Sequence, residues 1–256
     1  MIIAALIVFL IAYTVNITTI TVLYHRALAH DALRLTALGE WFTKNVGMWL
    51  TGIDPKGWVC MHRLHHAHSD TKRDPHSPVN SNVWRVFLDQ HKSFEKILAA
   101  LILGSKKHLK VVSDINFDVH WLNKKQLWWL PLAMHIGIGI ALGFAFGSLW
   151  LGLGYAAGMA SHPIQGWLVN SFGHASGYTN YDLGDNSKNN VWVALTVVGE
   201  GYQNNHHRFP QAAKFSVKWY EFDPGYLMVL LLVGLGFVQF PATAPKSLEL
   251  EQAANS

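Results

Sequence analysis

The stretch QLWWLPLAMHIGIGIALGFAFGSLWLGLGYAAGMASHP, Gln126 to Pro163, is apolar along nearly its whole length. As one helix its roughly 37 residues would run about 55 Å, well beyond the roughly 30 Å hydrocarbon core of a bilayer. Two helices turning near Gly147-Ser148 remove the mismatch and return the chain to the side it left. The spans expected here are about 127–146 and 148–164. Trp128, Trp129 and Trp150 suit the bilayer boundaries. Glycines at 137, 139, 143, 147, 152, 154 and 158 suit close helix contact. His135, inside the stretch, is expected to be a packed neutral imidazole, and His162 falls at the return boundary.

Working back to the N-terminus, Ile2 to Leu23 is long and apolar enough for another span, about 2–24. It has neither the basic start nor the cleavage pattern of a signal peptide. Thr14, Asn16, Thr18, Thr19 and Thr21 are costly against lipid and are expected to face partner helices. Leu33 to Ile53 mixes large apolar residues with Arg34, Glu40 and Lys44. It is expected to be interfacial or re-entrant, because a full crossing would put the histidines before and after it on opposite sides. Tyr226 to Phe240 is only marginally long for a crossing, so an interfacial or short membrane helix is expected over 226–240, with the polar tail from Lys246 cytosolic.

Composition agrees with a membrane protein. Hydrophobic residues make up 50% and charged residues 14%, against roughly 25% charged in soluble domains. Eleven tryptophans and thirteen phenylalanines suit lipid-facing and interfacial surface. Cys60 is the single cysteine, which removes internal disulfides and cysteine-rich metal sites. The net charge of +4 is not gathered beside any nucleic-acid-reading motif. Lys92, Lys96, Lys106, Lys107 and Lys110 place the section before the hairpin in the cytoplasm by the positive-inside rule and fit anionic headgroups. A solvated surface explains those lysines nearly as well.

Against this background the histidines stand out. His25 and His30 are five apart, His62, His65 and His66 follow at i, i+3 and i+4, and His206-His207 sit in GEGYQNNHHRFP, Gly199 to Pro210. With His174 these are eight imidazoles, too many for one tetrahedral zinc and suited to two metals. The i, i+3, i+4 spacing puts His62, His65 and His66 on one helix face, directed at one centre. Gln203, His206 and His207 repeat that spacing, with an amide that is a weaker donor than imidazole. On a continuous α-helix His25 and His30 would point about 140° apart. His68 lies outside the spacing, and His108 and His120 stand isolated on the cytosolic section.

These elements, HRALAH (His25–His30), HRLHH (His62–His66) with Ser69-Asp70, NSFGH (Asn170–His174), the Gly199–Pro210 box and KWYEFD (Lys218–Asp223), occur in the order of the membrane fatty acyl desaturases. The chain resembles the stearoyl-CoA desaturase-like branch from about Tyr24 to Tyr226. The resemblance implies an all-α integral membrane protein whose cytosolic helical cap encloses a histidine-rich di-iron site. It implies two iron ions held by His25, His30, His62, His65, His66, His174, His206 and His207, with Asn170 acting through water. The family's ninth histidine falls at Gln203, so Gln203 and Glu200 enter only as weak ligands or as partners of ligands. An additional helix found before the first box in larger relatives has no counterpart in this sequence. No catalytic side chain beyond the metal centre and no organic cofactor is implied.

The implied reaction is an oxygen-dependent desaturation of an acyl-CoA or acyl lipid. An unactivated methylene C–H bond does not yield to acid–base catalysis, so a redox metal pair, O2 and electrons are needed. The donor must be separate, such as a ferredoxin, rubredoxin or cytochrome b5-like protein, because neither a haem motif nor a flavin fingerprint is present. The expected location is a bacterial cytoplasmic membrane, the site facing the cytoplasm and membrane lipids as neighbours. A related di-iron hydroxylase or decarboxylase needs the same ligands. A metal carrier or sensor is the different-class alternative, but a transporter places its ligands near the bilayer midplane.

Overall fold

The computed structural model describes residues 1–242, and the tail from Lys246 lies outside the described residues. Helix α1 (Ile2–Thr18) runs without interruption into a π-helical segment (Thr19–Ala29). Asp31 then turns the chain at φ 54°, a left-handed position that aspartate tolerates better than most side chains. Strand β1 (Arg34–Leu35) and the short helices α2 (Ala37–Asn45) and α3 (Gly47–Thr51) lead to α4 (Pro55–His68). After a turn-rich loop come α5 (Val86–Ile102), α6 (Lys106–Val111) and α7 (Trp121–Lys124). The hairpin is α8 (Leu130–Ala145) and α9 (Leu149–Met159), followed by α10 (His162–Ala175), α11 (Val191–Thr196), α12 (Gln203–Arg208) and α13 (Pro224–Gly234). Strand β2 (Val238–Gln239) pairs antiparallel with β1, Arg34 opposite Gln239 and Leu35 opposite Val238. The chain is thus mostly helical, with this small ladder joining the segment after the first long helix to the segment after α13.

One continuous helix, Ile2–Ala29, is long and apolar enough to cross a membrane, while α8, α9 and α13 are shorter apolar helices. The hairpin turns at Phe146–Ser148, close to the position read from the sequence. Its return helix stops at Met159 rather than near 164, because α10 starts afresh at His162 with Pro163 in its first turn. The segment 33–53 forms no single long helix. It breaks into α2 and α3 and ends on Gly52 at φ 71°.

Close backbone contact joins α1, α8 and α9. A Cβ placed on Gly152 would stand 2.1 Å from the carbonyl oxygen of Gly139, and one on Gly158 would stand 2.6 Å from that of Phe9. Gly139, Gly152, Gly154 and Gly158 serve the contacts that their abundance suggested, whereas Gly137 and Gly147 border open space. Gly152→Val is therefore expected to force α8 and α9 apart and to destabilise the protein by about 1–3 kcal/mol, read as a lowered melting temperature in detergent.

Polar groups of α1 mostly turn inward. The Asn16 amide donates to the carbonyl oxygen of Met159 at 2.8 Å, tying α1 to α9, and Thr19 and Thr21 are buried. Thr14 departs from the expectation, for it is exposed. His135 Nε2 lies 2.9 Å from the Trp49 carbonyl, to which it must donate, so Nδ1 accepts from the Tyr155 hydroxyl at 2.9 Å. Both ring nitrogens are satisfied in a neutral tautomer, and the residue bridges α3 to the hairpin.

Candidate metal centre

Four separate elements deliver the histidines. His25 and His30 come from the π-helical segment and its end, and their rings lie 5.0 Å apart. Hydrogen bonding from i to i+5 brings residues five apart nearly over one another, which an α-helix does not do. The expectation of diverging rings thus fails for a local reason, the widened helix. Helix α4 begins with Asp54, which accepts from the Gly57 amide, and Pro55 in the first turn; it carries His62, His65 and His66. Helix α10 carries His174 and α12 carries His206 and His207.

The structure brings all eight together in two adjoining clusters. His25, His30, His62, His66 and His206 form the first, and His65, His174 and His207 the second, with potential ligand atoms within 4.8 Å of one another in each. In the first, Nε2 of His206 is 3.0 Å from Nε2 of both His25 and His66, and Nε2 of His30 is 2.7 Å from that of His62. Two imidazoles bound at about 2.0–2.1 Å and at right angles would hold their nitrogens about 3 Å apart, so these spacings match the edges of a metal coordination shell. In the second, Nε2 of His65, His174 and His207 are all buried without a protein partner. The α4 and α12 boxes therefore each divide between the clusters. His65 leaves the face of His62 and His66, and His207 parts from its neighbour His206, because consecutive helix positions differ by about 100°.

The protonation state fits metal binding as well. Burial, reinforced by mutual repulsion, holds the pKa of His30, His62, His66 and His206 well below the ordinary imidazole value. Burial likewise brings His207 down to about 4. Neutral imidazole is the ligand form. In the second cluster each ring is held by a carboxylate at Nδ1: His65 by Asp74 at 2.9 Å, His174 by Asp70 at 2.9 Å and His207 by Asp185 at 2.8 Å. These bonds place the proton on Nδ1 and leave Nε2 free to bind, the usual arrangement around a metal-ligating histidine. Burial alone would raise Asp74 and Asp185, but the imidazoles they face hold both well below the usual carboxylate range.

Glu200 plays the same part in the first cluster. Its Oε2 meets His25 Nδ1 at 2.7 Å, and its Oε1 takes Arg26 at 2.8 Å and the Thr21 hydroxyl. Arg26 is fully buried, stacks on Phe215 at 3.8 Å and reaches Asp223 at 3.5 Å. Gln203 is buried, and its amide nitrogen donates to the Glu200 carbonyl oxygen at 2.7 Å. Asn170 uses its amide nitrogen on Gln90 Oε1 at 3.2 Å. His25, His62, Asn170, Glu200 and Gln203 all line one cleft, whose other walls include Ile17, Ile20, Trp58, Met61, Phe94 and Val169.

Sequence reasoning passed over several residues. The sequence assigns no role to Asp74 or Asp185, and it marks Asp70 only as part of the motif that follows His62–His66. His76 is buried 4.7 Å from the His65 ring in a near-parallel stack, with both ring nitrogens unpartnered. His120, expected on an open cytosolic face, is buried and accepts from the Leu122 amide at the start of α7. His68 stands outside both clusters, as its spacing suggested.

Fold and site together define a mostly helical protein that carries histidine clusters able to hold metal ions beside an apolar cleft. The chain belongs to the fatty acid desaturase family, whose sequence profile matches residues 2–232. It is 34% identical over 221 residues to an sn-1 stearoyl-lipid 9-desaturase of Anabaena variabilis, covering 85% of this chain and 76% of that one. It is 31% identical over 228 residues to an acyl-CoA 5-desaturase of Anemone leveillei, covering 84% of this chain and 64% of the relative. A chloroplastic palmitoyl-monogalactosyldiacylglycerol delta-7 desaturase of Arabidopsis thaliana is 32% identical over 231 residues, covering 89% and 60%. The chain thus spans less than two thirds of the length of the last two.

Proposed function

We propose that this protein is an oxygen-dependent fatty acyl desaturase that places a C=C bond in the alkyl chain of an acyl-CoA or acyl lipid. The observation that carries the reading is the pair of histidine clusters opening, through His25 and His62, onto an apolar cleft. Family membership supports it. Bound there, two iron ions supply the reduction of O2 by two external electrons and two protons, with removal of one hydrogen from each of two adjacent methylenes, yielding two waters. The five-histidine cluster would hold one ion and His65, His174 and His207 the other, with Asn170 acting through water.

The chain's own residues do the positioning. Ile17, Ile20, Phe94 and Val169 exclude water from an alkyl chain in the cleft, and Trp58, stacked on His62 at 4.9 Å, sets that ring at the cleft wall. Glu200, Asp70, Asp74 and Asp185 fix the tautomers of four ligands. In this reading α1 and the α8–α9 hairpin lie in a cytoplasmic membrane, α2 and α3 are interfacial or re-entrant, α13 is an interfacial or short membrane helix, and the remaining helices form a cytosolic cap where a separate electron carrier docks. The decisive experiment supplies iron-loaded full-length protein with acyl-CoA or phospholipid substrate, O2 and a reduced ferredoxin, then analyses the acyl products by mass spectrometry. Loss of two hydrogens supports the reading; gain of oxygen, loss of carbon, or metal movement without acyl oxidation refutes it.

Gln203 separates a ligand from a supporting residue. Its amide nitrogen is committed to a backbone carbonyl, and its oxygen is a weaker donor than imidazole. Gln203→Ala is expected to retain more iron than His206→Ala, measured as metal per chain after purification. Equal loss in the two variants would make Gln203 a ligand of the same rank.

A further inference from the structure

The two clusters differ in the number of their imidazoles, five against three, and also in the charge behind them. In the three-histidine cluster every ring is backed by a carboxylate, and the other partners of those carboxylates are neutral. Asp70 takes the Ser77 hydroxyl at 2.5 Å and the Asn186 amide at 2.8 Å. Asp74 takes the amides of Asp70 at 2.8 Å and His76 at 3.0 Å. Asp185 takes the amide of Ser187 at 3.0 Å and its hydroxyl at 2.5 Å. In the five-histidine cluster the one such carboxylate, Glu200, is met by the guanidinium of Arg26 at 2.8 Å. A carboxylate hydrogen-bonded to a ligand imidazole makes it a stronger donor, and buried negative charge favours the more highly charged cation.

We propose that Asp70, Asp74 and Asp185 make the metal pair electronically unequal, so that the ion held by His65, His174 and His207 gives up the first electron while its neighbour stays ferrous. The inference rests on the di-iron reading above. The carboxylates act through the imidazoles they hold and do not touch the reacting atoms, so they are positioning residues.

Asp70 offers a clean substitution. Its φ of 58° suits asparagine at least as well. In Asp70→Asn the side-chain oxygen still accepts from His174 and Asn186, and the new amide donates to Ser77, whose hydroxyl turns to accept. Only the charge is lost. Ser187→Ala acts in the opposite sense, for it removes a hydroxyl donor from Asp185 and leaves that carboxylate more strongly donating toward His207.

The test loads detergent-purified full-length protein with ⁵⁷Fe(II) without oxygen, counts iron, and titrates with ferricyanide, which takes up one electron per iron oxidised. Mössbauer spectra follow each iron. The signal that turns ferric first is expected to be the one perturbed by Asp70→Asn and Ser187→Ala and unaltered by Glu200→Gln. Its midpoint should rise in Asp70→Asn by at least the 59 mV that equals a tenfold change in a one-electron equilibrium, and fall in Ser187→Ala. Loss of packing has no reason to move the two variants in opposite directions. Should Asp70→Asn fail to retain iron, Ser187→Ala and the unmodified protein still decide the question. First oxidation of the signal that answers to Glu200→Gln, or midpoints that stay fixed in iron-bearing variants, overturns the inference. Fewer than two irons per chain in the unmodified protein overturns the di-iron reading instead.

Discussion

His62→Ala, His66→Ala and His207→Ala are each expected to lower turnover by well over about 100-fold, beyond the ~10–100-fold typical of losing a residue that only supports a ligand. His62 and His66 stand in the five-histidine cluster, and His207 belongs to the other. Removing any one opens a coordination edge and leaves the remaining neutral nitrogens facing an unfilled position. Iron content should fall with activity, so metal per chain is measured beside product formation at matched protein abundance. His108→Ala is the control: among the described residues its ring meets Ser105 at 2.9 Å, and it belongs to neither cluster. His120→Ala is a poorer control because that ring is buried and caps α7. Two of the three variants with normal abundance, iron and product would remove the proposed centre.

Arg26→Met is expected to produce the largest loss of stability. The guanidinium is fully buried and draws together Glu200, Asp223, the Thr21 hydroxyl and carbonyl, and the Ala213 carbonyl. Methionine fills much of the volume but leaves Glu200 and Asp223 buried without their cation. Removing one partner of a buried ion pair costs about 3–5 kcal/mol, because the other charge stays desolvated. That is a large share of the about 5–15 kcal/mol by which a native protein is stable, so the variant should accumulate poorly and melt early. Arg26→Lys should recover part of the loss, since the charge returns without the two-armed geometry. Unchanged melting in Arg26→Met would show that the network is not a source of stability.

The turn inside the apolar stretch was legible because its evidence is local. Thirty-odd apolar residues cannot be one helix in a bilayer, and the turn falls at Phe146–Ser148 where glycine and serine interrupt the run. The gathering of His25, His30, His62, His65, His66, His174, His206 and His207 was legible for a similar reason, since imidazoles in such density have no ordinary packing role in an apolar chain. Asp70, Asp74 and Asp185 were not legible. An aspartate in a turn is commonly a solvated loop residue, and nothing in its neighbours says which ring it will meet; Asp70 and His174 are 104 positions apart.

By itself, then, the amino-acid sequence determined the kind of chemistry available: a chain rich in apolar helix, nitrogen ligands sufficient for two metals, and an amide at position 203. Tertiary structure alone decided how those ligands divide. Spacing on a helix fixes the direction of one side chain relative to another on that helix, and no more. Whether His65 joins His66 or joins His174 and His207 depends on how α4, α10 and α12 cross, which packing between segments far apart in the chain sets. The π-helical turn that aligns His25 with His30 is held by tertiary packing too, for Val22, Leu23, Tyr24 and Arg26 are buried around it. The same crossing sets three carboxylates behind one cluster and an arginine-bound glutamate behind the other, a difference of charge that residue order does not record.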